Sequence, residues 1–533
     1  MCARTTIIVA CLFCLAGVAP LTVSQGTEPT IQPRQRYLLL DKRLVSSVEN
    51  VVLTLGAIRK HAGNPLFGED LPWETEMSHM YASVIFDQKE RVYKCWYYSH
   101  LTDWQKHVSP GPLAPKEPNG RSNCATLYAT SKDGISWHKP KLNVYLYKAK
   151  PTNIVYWRNH GSGAFKDPRD PDPQRRYKMF GLAGTLDGRL KVAFSPDGVQ
   201  WTNLVDTKVY TSGDTHNNAF WNPIAQEYVG ITRAFSRGRM GYDLGEKIPW
   251  VGGYVIGQRM VARTTSKDFV NWTPPEIVFQ YGHDKRQVYA MPTFYTHGVF
   301  LGLPVIYDNA GAYREDMAKQ KGWRRQQVTP GMESELKDAG KSNRMWPGLS
   351  WSANAKDWYW VGQRGDAMIP LAEDRKSIDW GCIFAAHAPV VLDDEIRIYY
   401  SGQPDKHGLN PGYLCLATLR LDGWAGYEPR DDSKYASVET QPIVCNGATL
   451  SLAADAECGS IVVTAKDGKG NTLAESKPLT GSKPYTPVEW KKGFALSAHR
   501  GQPVQLKFTI NHARLYCFTF DKKETRTRPQ NNK

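Results

Sequence analysis

The chemistry-bearing residues of this chain gather in short polar clusters that precede apolar strand patterns. The densest is Asp214-Thr-His216-Asn217-Asn218, where a carboxylate, an imidazole and two amides occupy five positions. Similar positions hold His79, Asn159-His160, Tyr289 and Ala386-His387. Upstream of the first stands an acidic, aromatic loop, Asn64-Pro-Leu-Phe-Gly-Glu-Asp-Leu-Pro-Trp73-Glu74. A carboxylate beside a large flat ring suits sugar chemistry, because aromatic faces stack on the apolar faces of pyranoses. Glycosidic cleavage needs one group to protonate the leaving oxygen and a second, a base or nucleophile, on the opposite face of the sugar. Burial among aromatic rings raises the pKa of the acid. Asp214 and Glu74 are the leading candidates for that pair, with Asp379 and Glu335 in reserve; Trp73, His79, His160, His216, Asn217, Tyr289 and His387 are expected to bind or orient substrate. Each also has a plainer reading, as a solvated loop acid or a hydrogen-bonded core residue.

These clusters are dispersed along the chain, so an internal repeat must bring them together. Ser131-Lys-Asp-Gly-Ile-Ser-Trp137 recurs as Ser195-Pro-Asp-Gly-Val-Gln-Trp201 and as Ser266-Lys-Asp-Phe-Val-Asn-Trp272. Degraded copies follow at Ser352–Trp358 and Leu419–Trp424. Asp-Gly marks a tight turn. Each copy follows two alternating apolar and polar runs, as in a hairpin of half-buried strands. Four antiparallel strands repeated radially make a propeller blade. The expected fold class is therefore all-β: a five-bladed β-propeller over 61–430, followed by a small β-sandwich, jelly-roll-like, over 436–521. Residues 26–60 are expected to supply strands leading into the propeller, and 522–533 a disordered basic tail. Aligned on the turn after each first strand, the polar clusters fall at one level around the axis. Asp167 falls at the opposite mouth, as a turn residue.

Composition narrows the class. Seventeen Trp and 27 Tyr among 533 residues fit a strand-rich protein with sugar-facing surfaces. Residues 1–25 read as a signal peptide: Arg4, then the apolar run Ile7–Val18, too short to span a bilayer. The expected location is secreted or periplasmic, without membrane insertion. Seven cysteines remain after Cys2, Cys11 and Cys14, too few and too sparse for a disulfide scaffold. Cys95 with Cys124, and Cys382 with Cys415, could each bridge neighbouring strands or stay as buried thiols. The net charge of +15 comes without a nucleic-acid-binding motif, which points away from nucleic acid and toward a carbohydrate partner, including an anionic polysaccharide.

Several of these runs resemble a group of exported bacterial proteins related to glycoside hydrolase families 32 and 43. They are Asn64–Glu74, Tyr93-Lys-Cys-Trp-Tyr97, Ser131–Trp137, Arg176-Tyr-Lys-Met-Phe180, Asp214–Asn218 and Asp394–Tyr400. The resemblance implies the five-bladed fold and a role on plant or algal polysaccharide; propeller mouths closed by loops form pockets, so the expected activity is an exo-acting glycoside hydrolase on such a polysaccharide or an oligosaccharide. In those families an Asp on blade one, an Asp on blade two and a Glu on blade three do the work. This chain has His79 or Glu74 near the first position, no acid at the second and Asp214 on the third. Two other readings stay open: a non-catalytic glycan-binding propeller, favoured by fewer than two carboxylates at the mouth, and a metal-dependent enzyme. No cofactor is required by the first; the last would hold a single divalent cation on the axis between His79, His160, His216, Asp214 and His387.

Overall fold

The repeated Ser-x-Asp-Gly segment is a self-locking turn. Asp133 Oδ1 accepts from the backbone N–H groups of Ile135 and Ser136 at 2.8 and 2.7 Å, and Ser131 Oγ accepts from Gly134 N–H at 2.8 Å. Asp197 and Ser195 repeat the pattern, as do Asp268 and Ser266. The residue after the acid takes positive φ, 76° at Gly134, 84° at Gly198 and also 65° at Phe269, as does Ala355 at 60° after Asn354. The side-chain lock therefore holds the left-handed conformation even where glycine has been replaced.

In this computed structural model the described residues are 33–101, 107–115, 124–157, 159–183, 189–211, 213–235, 242–243, 246–247, 259–282, 286–308, 343–408, 410–491 and 493–521. The apolar N-terminal run, the basic tail and Glu335 lie outside them. Within them the architecture is all-β, and no helix is long and apolar enough to cross a membrane. All seven described cysteines are free thiols, so neither expected pair is bridged.

Successive antiparallel sheets follow the sequence. Sheet I contains Ser83–Asp87, Val92–His100, Cys124–Ser131 and Ile154–Trp157. Sheet II contains Asn159–Lys166, Tyr177–Ala183, Arg189–Ser195 and Val205–Tyr210. Sheet III contains Asn218–Asn222, Glu227–Phe235, Arg259–Ser266 and Glu276–Phe279. Sheet IV contains Thr293–Thr296, Val299–Gly302, Ser350–Ser352 and Trp358–Trp360. Sheet V contains Cys382–Ala385, Glu395–Gln403, Tyr413–Arg420 and Arg59–Lys60. Arg286–Ala290, Val305–Asp308 and Arg344–Pro347, set off from the sheet IV strands near Pro292 and Pro304, which supply no N–H to a ladder, pair with one another and join sheet V.

The first strands stand side by side in a ring. Ala164 N–H donates to Ser83 Oγ at 3.0 Å, Gly163 N–H to Asn217 O at 2.7 Å, and Asn218 Nδ2 to Thr293 O at 3.2 Å. Met345 pairs in parallel with Cys382, and His387 N–H reaches Ala82 O at 2.9 Å, so the arrangement is nearly closed.

Residues 436–521 contribute strands to one twelve-stranded sheet, in which the long strand Thr449–Asp467 pairs with Pro503–Asn511 and with Arg514–Asp521. The N-terminal segment joins them rather than leading straight into sheet I. Tyr37–Leu38 pairs with Arg514–Asp521, Val45–Glu49 with Ala436–Thr440, and Val51–Leu55 with Ala425–Pro429. Only then does Arg59–Lys60 add to the outer edge of sheet V.

Candidate functional site

Three consecutive non-glycine residues, His79, Met80 and Tyr81, have φ of 69°, 44° and 41°. Each such residue costs about 1–2 kcal/mol relative to ordinary backbone. The stretch turns the His79 and Tyr81 rings inward at the start of sheet I. His79 stacks on Tyr81 and Tyr289, with centroids 5.5 and 6.0 Å apart, and packs against Phe384 and His407. Tyr289 exchanges hydrogen bonds at 3.3 Å with the Tyr81 hydroxyl and with His407 Nε2.

Sheet II contributes His160 through a bulge. Register shifts between His160 and Gly163, and Gly161 takes φ of 59°. A Cβ on Gly161 would lie 1.8 Å from Thr215 O, so glycine is what lets the 213–217 loop close on this strand. His160 Nε2 then meets Asp214 Oδ1 at 2.8 Å, and its Nδ1 lies 3.6 Å from Cys124 Sγ. Burial works against a charge on this ring, but the Asp214 carboxylate and the Cys124 sulfur outweigh it and raise the pKa to about 10. Asp214 Oδ2 lies 3.4 Å from Arg233 Nη2; the Asp214 side chain is 52% exposed and that of Arg233 1%. The Arg233 and Arg259 guanidiniums both lie over Tyr289, at 5.0 and 5.7 Å.

Below this rim the axis is filled by two imidazoles. His216 lies 5.5 Å from Tyr81 and 6.3 Å from His387. His387 Nε2 is bonded to Ala219 O of sheet III at 3.0 Å, while its backbone holds sheet I. Burial lowers the pKa of His216 to about 3 and of His387 to about 4, so both are neutral floor residues. Beneath His387 lies a second cavity of about 250 Å³, lined by Phe165, Asp167, Phe220, Trp221 and Phe294 at the opposite mouth. Asp167 there takes the Tyr228 hydroxyl at 2.6 Å and the Lys178 ammonium at 3.2 Å.

The arrangement is thus a cup with one half-exposed carboxylate, a protonated imidazole, two guanidiniums and a wall of tyrosines. His79, His160, Asp214, His216, Tyr289 and His387 come together in it. Asn217 supports it from behind: its Nδ2 reaches the carbonyls of Gly161, Gly213 and Thr215 at 3.1, 2.7 and 3.0 Å, and its Oδ1 accepts from Thr232 at 2.6 Å. Every polar atom of that amide is engaged inside the protein, which leaves it no group for substrate.

Glu74, Trp73 and Asp379 have their partners elsewhere. Glu74 is buried, accepts from Tyr97 at 2.6 Å and from two loop N–H groups, and pairs with Lys139 at 2.7 Å. Tyr97 and Tyr98 are consecutive on one strand and face opposite sides; Tyr98 packs on His160, so Glu74 sits behind the wall. Burial pushes its carboxyl up to about 7 in spite of Lys139. The Trp73 indole donates to Asn153 at 2.7 Å and packs on Tyr147, which ties it into the same strut. Asp379 accepts from Tyr400 at 2.9 Å and pairs with Lys60 at 2.6 Å, joining sheet V to its closing strand. Among the described residues no three His, Cys, Asp or Glu side chains come together as a metal-binding group.

The cup also uses residues that sequence reasoning passed over: Tyr81, Tyr98, Cys124, Arg233, Arg259, Phe384 and His407. Most lie at the upper ends of second and third strands, whereas the alignment followed first strands only. The signal that marks them is the excess of large polar-tipped side chains at those strand ends.

No family model matches the chain, and no curated protein matches it. Solved structures of similar shape include a β-1,2-mannobiose phosphorylase from Listeria innocua, 13% identical with a TM-score of 0.40, covering 68% of this chain and 96% of that one. A glycoside hydrolase family 43 arabinoxylan arabinofuranohydrolase from Bacillus subtilis is 9% identical with a TM-score of 0.35, covering 87% and 99%. The Bombyx mori family 32 β-fructofuranosidase is 10% identical with a TM-score of 0.34, covering 92% and 94%.

Proposed function

We propose that this chain is an exported glycoside hydrolase, built as a five-bladed β-propeller with a C-terminal β-sandwich, that works from the end of a plant or algal polysaccharide. The observation that carries the reading is Asp214. It is a half-exposed carboxylate at the rim of an aromatic cup, and it is ion-paired at 2.8 Å with a neighbouring imidazole. Tyrosine and histidine rings provide faces for a sugar, and Asp214 provides the acid/base group that glycosidic cleavage needs. The two guanidiniums beside Tyr289 favour an acidic glycan, whose binding weakens as salt is raised.

The test is sugar release from a panel of neutral, uronic-acid and sulfated polysaccharides, with Asp214→Asn beside the parent. We expect hydrolysis of one class, and a fall of about 100-fold or more in the variant. A fully active Asp214→Asn would sink the reading. A second reading, a non-catalytic glycan-binding propeller, is favoured by Glu74 and Asp379 being spent on internal struts. Saturable binding by both proteins with no sugar release is its signature.

A further inference from the structure

The cup holds a nucleophile that glycoside hydrolysis does not use. Cys124 opens the third strand of sheet I, and its Sγ lies 3.6 Å from His160 Nδ1 and 3.0 Å from the Tyr98 hydroxyl. Across the same ring, His160 Nε2 meets Asp214 Oδ1 at 2.8 Å. Thiol, imidazole and carboxylate thus stand in series: a nucleophile, a base that takes its proton, and an acid that orients the base. Tyr81 and Tyr98 hold the ring edge-on, at 5.7 and 5.0 Å, which fixes its plane. A second observation points to a ligand beside it. His79 Nε2 is buried and meets no hydrogen-bond partner among the described residues. A buried polar atom left open in this way is suited to a substrate oxygen.

We propose that Cys124, His160 and Asp214 form a nucleophilic relay that hydrolyses ester substituents on a carbohydrate held in the cup, an activity that rests on the reading of the cup as a sugar site. The position of the base selects the bond. In a displacement at a saturated anomeric carbon the leaving oxygen departs on the side away from sulfur, out of reach of an imidazolium that touches sulfur. At an acyl carbon, nucleophile and leaving oxygen share one tetrahedral centre, and a single imidazolium serves both. With its proton already on His160 Nδ1, Cys124 stands as a thiolate beside the imidazolium; the thiolate attacks the carbonyl carbon, whose π pair moves to oxygen. That pair returns as the C–O bond breaks, and the sugar oxygen leaves with the bonding electrons and takes the proton from Nδ1. Water then gives a proton to His160 and adds to the thioester. The C–S bond breaks, releasing the carboxylic acid and restoring the pair. Asp214 is a positioning residue here and touches no reacting atom.

The test uses the full chain and two probes, iodoacetamide and p-nitrophenyl acetate. Labelling is read at each cysteine by peptide mass spectrometry between pH 5.5 and pH 9, with exposed Cys458 as internal reference. The charged and titratable groups facing the pair are Asp214, Arg233, His79, His100, Tyr81 and Tyr98. The relay predicts that at pH 6.5 Cys124 reacts about tenfold faster than Cys458, with a rate nearly flat in pH. In His160→Gln that advantage is lost and a steep pH dependence returns; Asp214→Asn lies between. With p-nitrophenyl acetate, an acetyl group accumulates on Cys124 of the parent and is absent from Cys124→Ser. A Cys124 that is unlabelled, or no faster than Cys458, overturns the proposal and leaves the polysaccharide result standing. Fast labelling beside an inert polysaccharide panel keeps the relay and removes the sugar reading. The decisive labelling is done on the parent protein, so it does not depend on any variant folding.

Discussion

Glu74 shows how a carboxylate beside a tryptophan, in an acidic loop, can serve the fold rather than the reaction. Its oxygens are shared among Tyr97, Lys139 and the N–H groups of Asp70 and Leu71. Burial raises its pKa to about 7, above the value of an exposed glutamate. The folded protein therefore holds this proton more tightly than the unfolded chain does. Its contribution to stability is complete below the unfolded pKa of about 4.3 and is lost as pH rises through about 7. We expect urea unfolding to show stability falling across that window, and Glu74→Gln to remove that part of the slope. Residue types alone could not separate Glu74 from Asp214, since both lie beside aromatic and polar neighbours in sequence. Which strand face the partner tyrosine presents decides between them, and that is a property of the folded sheet.

At the scale of elements, the strand beginning at Asn159 and the loop 213–217 form one device. The bulge at Gly161, the parallel bridge Ser162–Asn217 and the four bonds of Asn217 place Asp214 opposite His160. Gly161→Ala puts a methyl group against Thr215 O at a positive φ. We expect a loss of about 2 kcal/mol or more, read from denaturant midpoints. Asn217→Ala should cost about 1–3 kcal/mol by removing the donor to Thr215 O and the acceptor for Thr232, while Gly161 O and Gly213 O keep backbone donors, and should lower activity through the misplaced Asp214. The repeat turns were legible because their function is local: Ser, Asp and the next residue lock one another without distant help. The bulge was not, because Gly161 owes its place to a carbonyl more than fifty positions away. The same reason hid Arg233 and His407, which reach the cup from a strand end and from a loop that carry no motif of their own.

For the whole molecule, closure depends on residues far apart in sequence. Arg59–Lys60 completes sheet V, and the segment just before it is woven into the C-terminal sheet. Lys60 also neutralises buried Asp379. Lys60→Ala leaves that carboxylate with the Tyr400 hydroxyl but no cation, and should cost about 2–4 kcal/mol. Asp379→Asn combined with Lys60→Ala should recover part of that loss, which unfolding of the single and double variants checks. The alternating pattern of 37–60 announced strands but not their partners, since an edge strand carries no record in its own sequence of which sheet it will extend.

The His387 imidazole lies across the axis, bound to sheets on opposite sides of the ring, with His216 directly above it. The cup is therefore a cul-de-sac. For the hydrolase proposed above, a polymer would present a terminus or a side branch rather than pass along the axis, and departure of the spent fragment and arrival of the next one would compete for a single doorway.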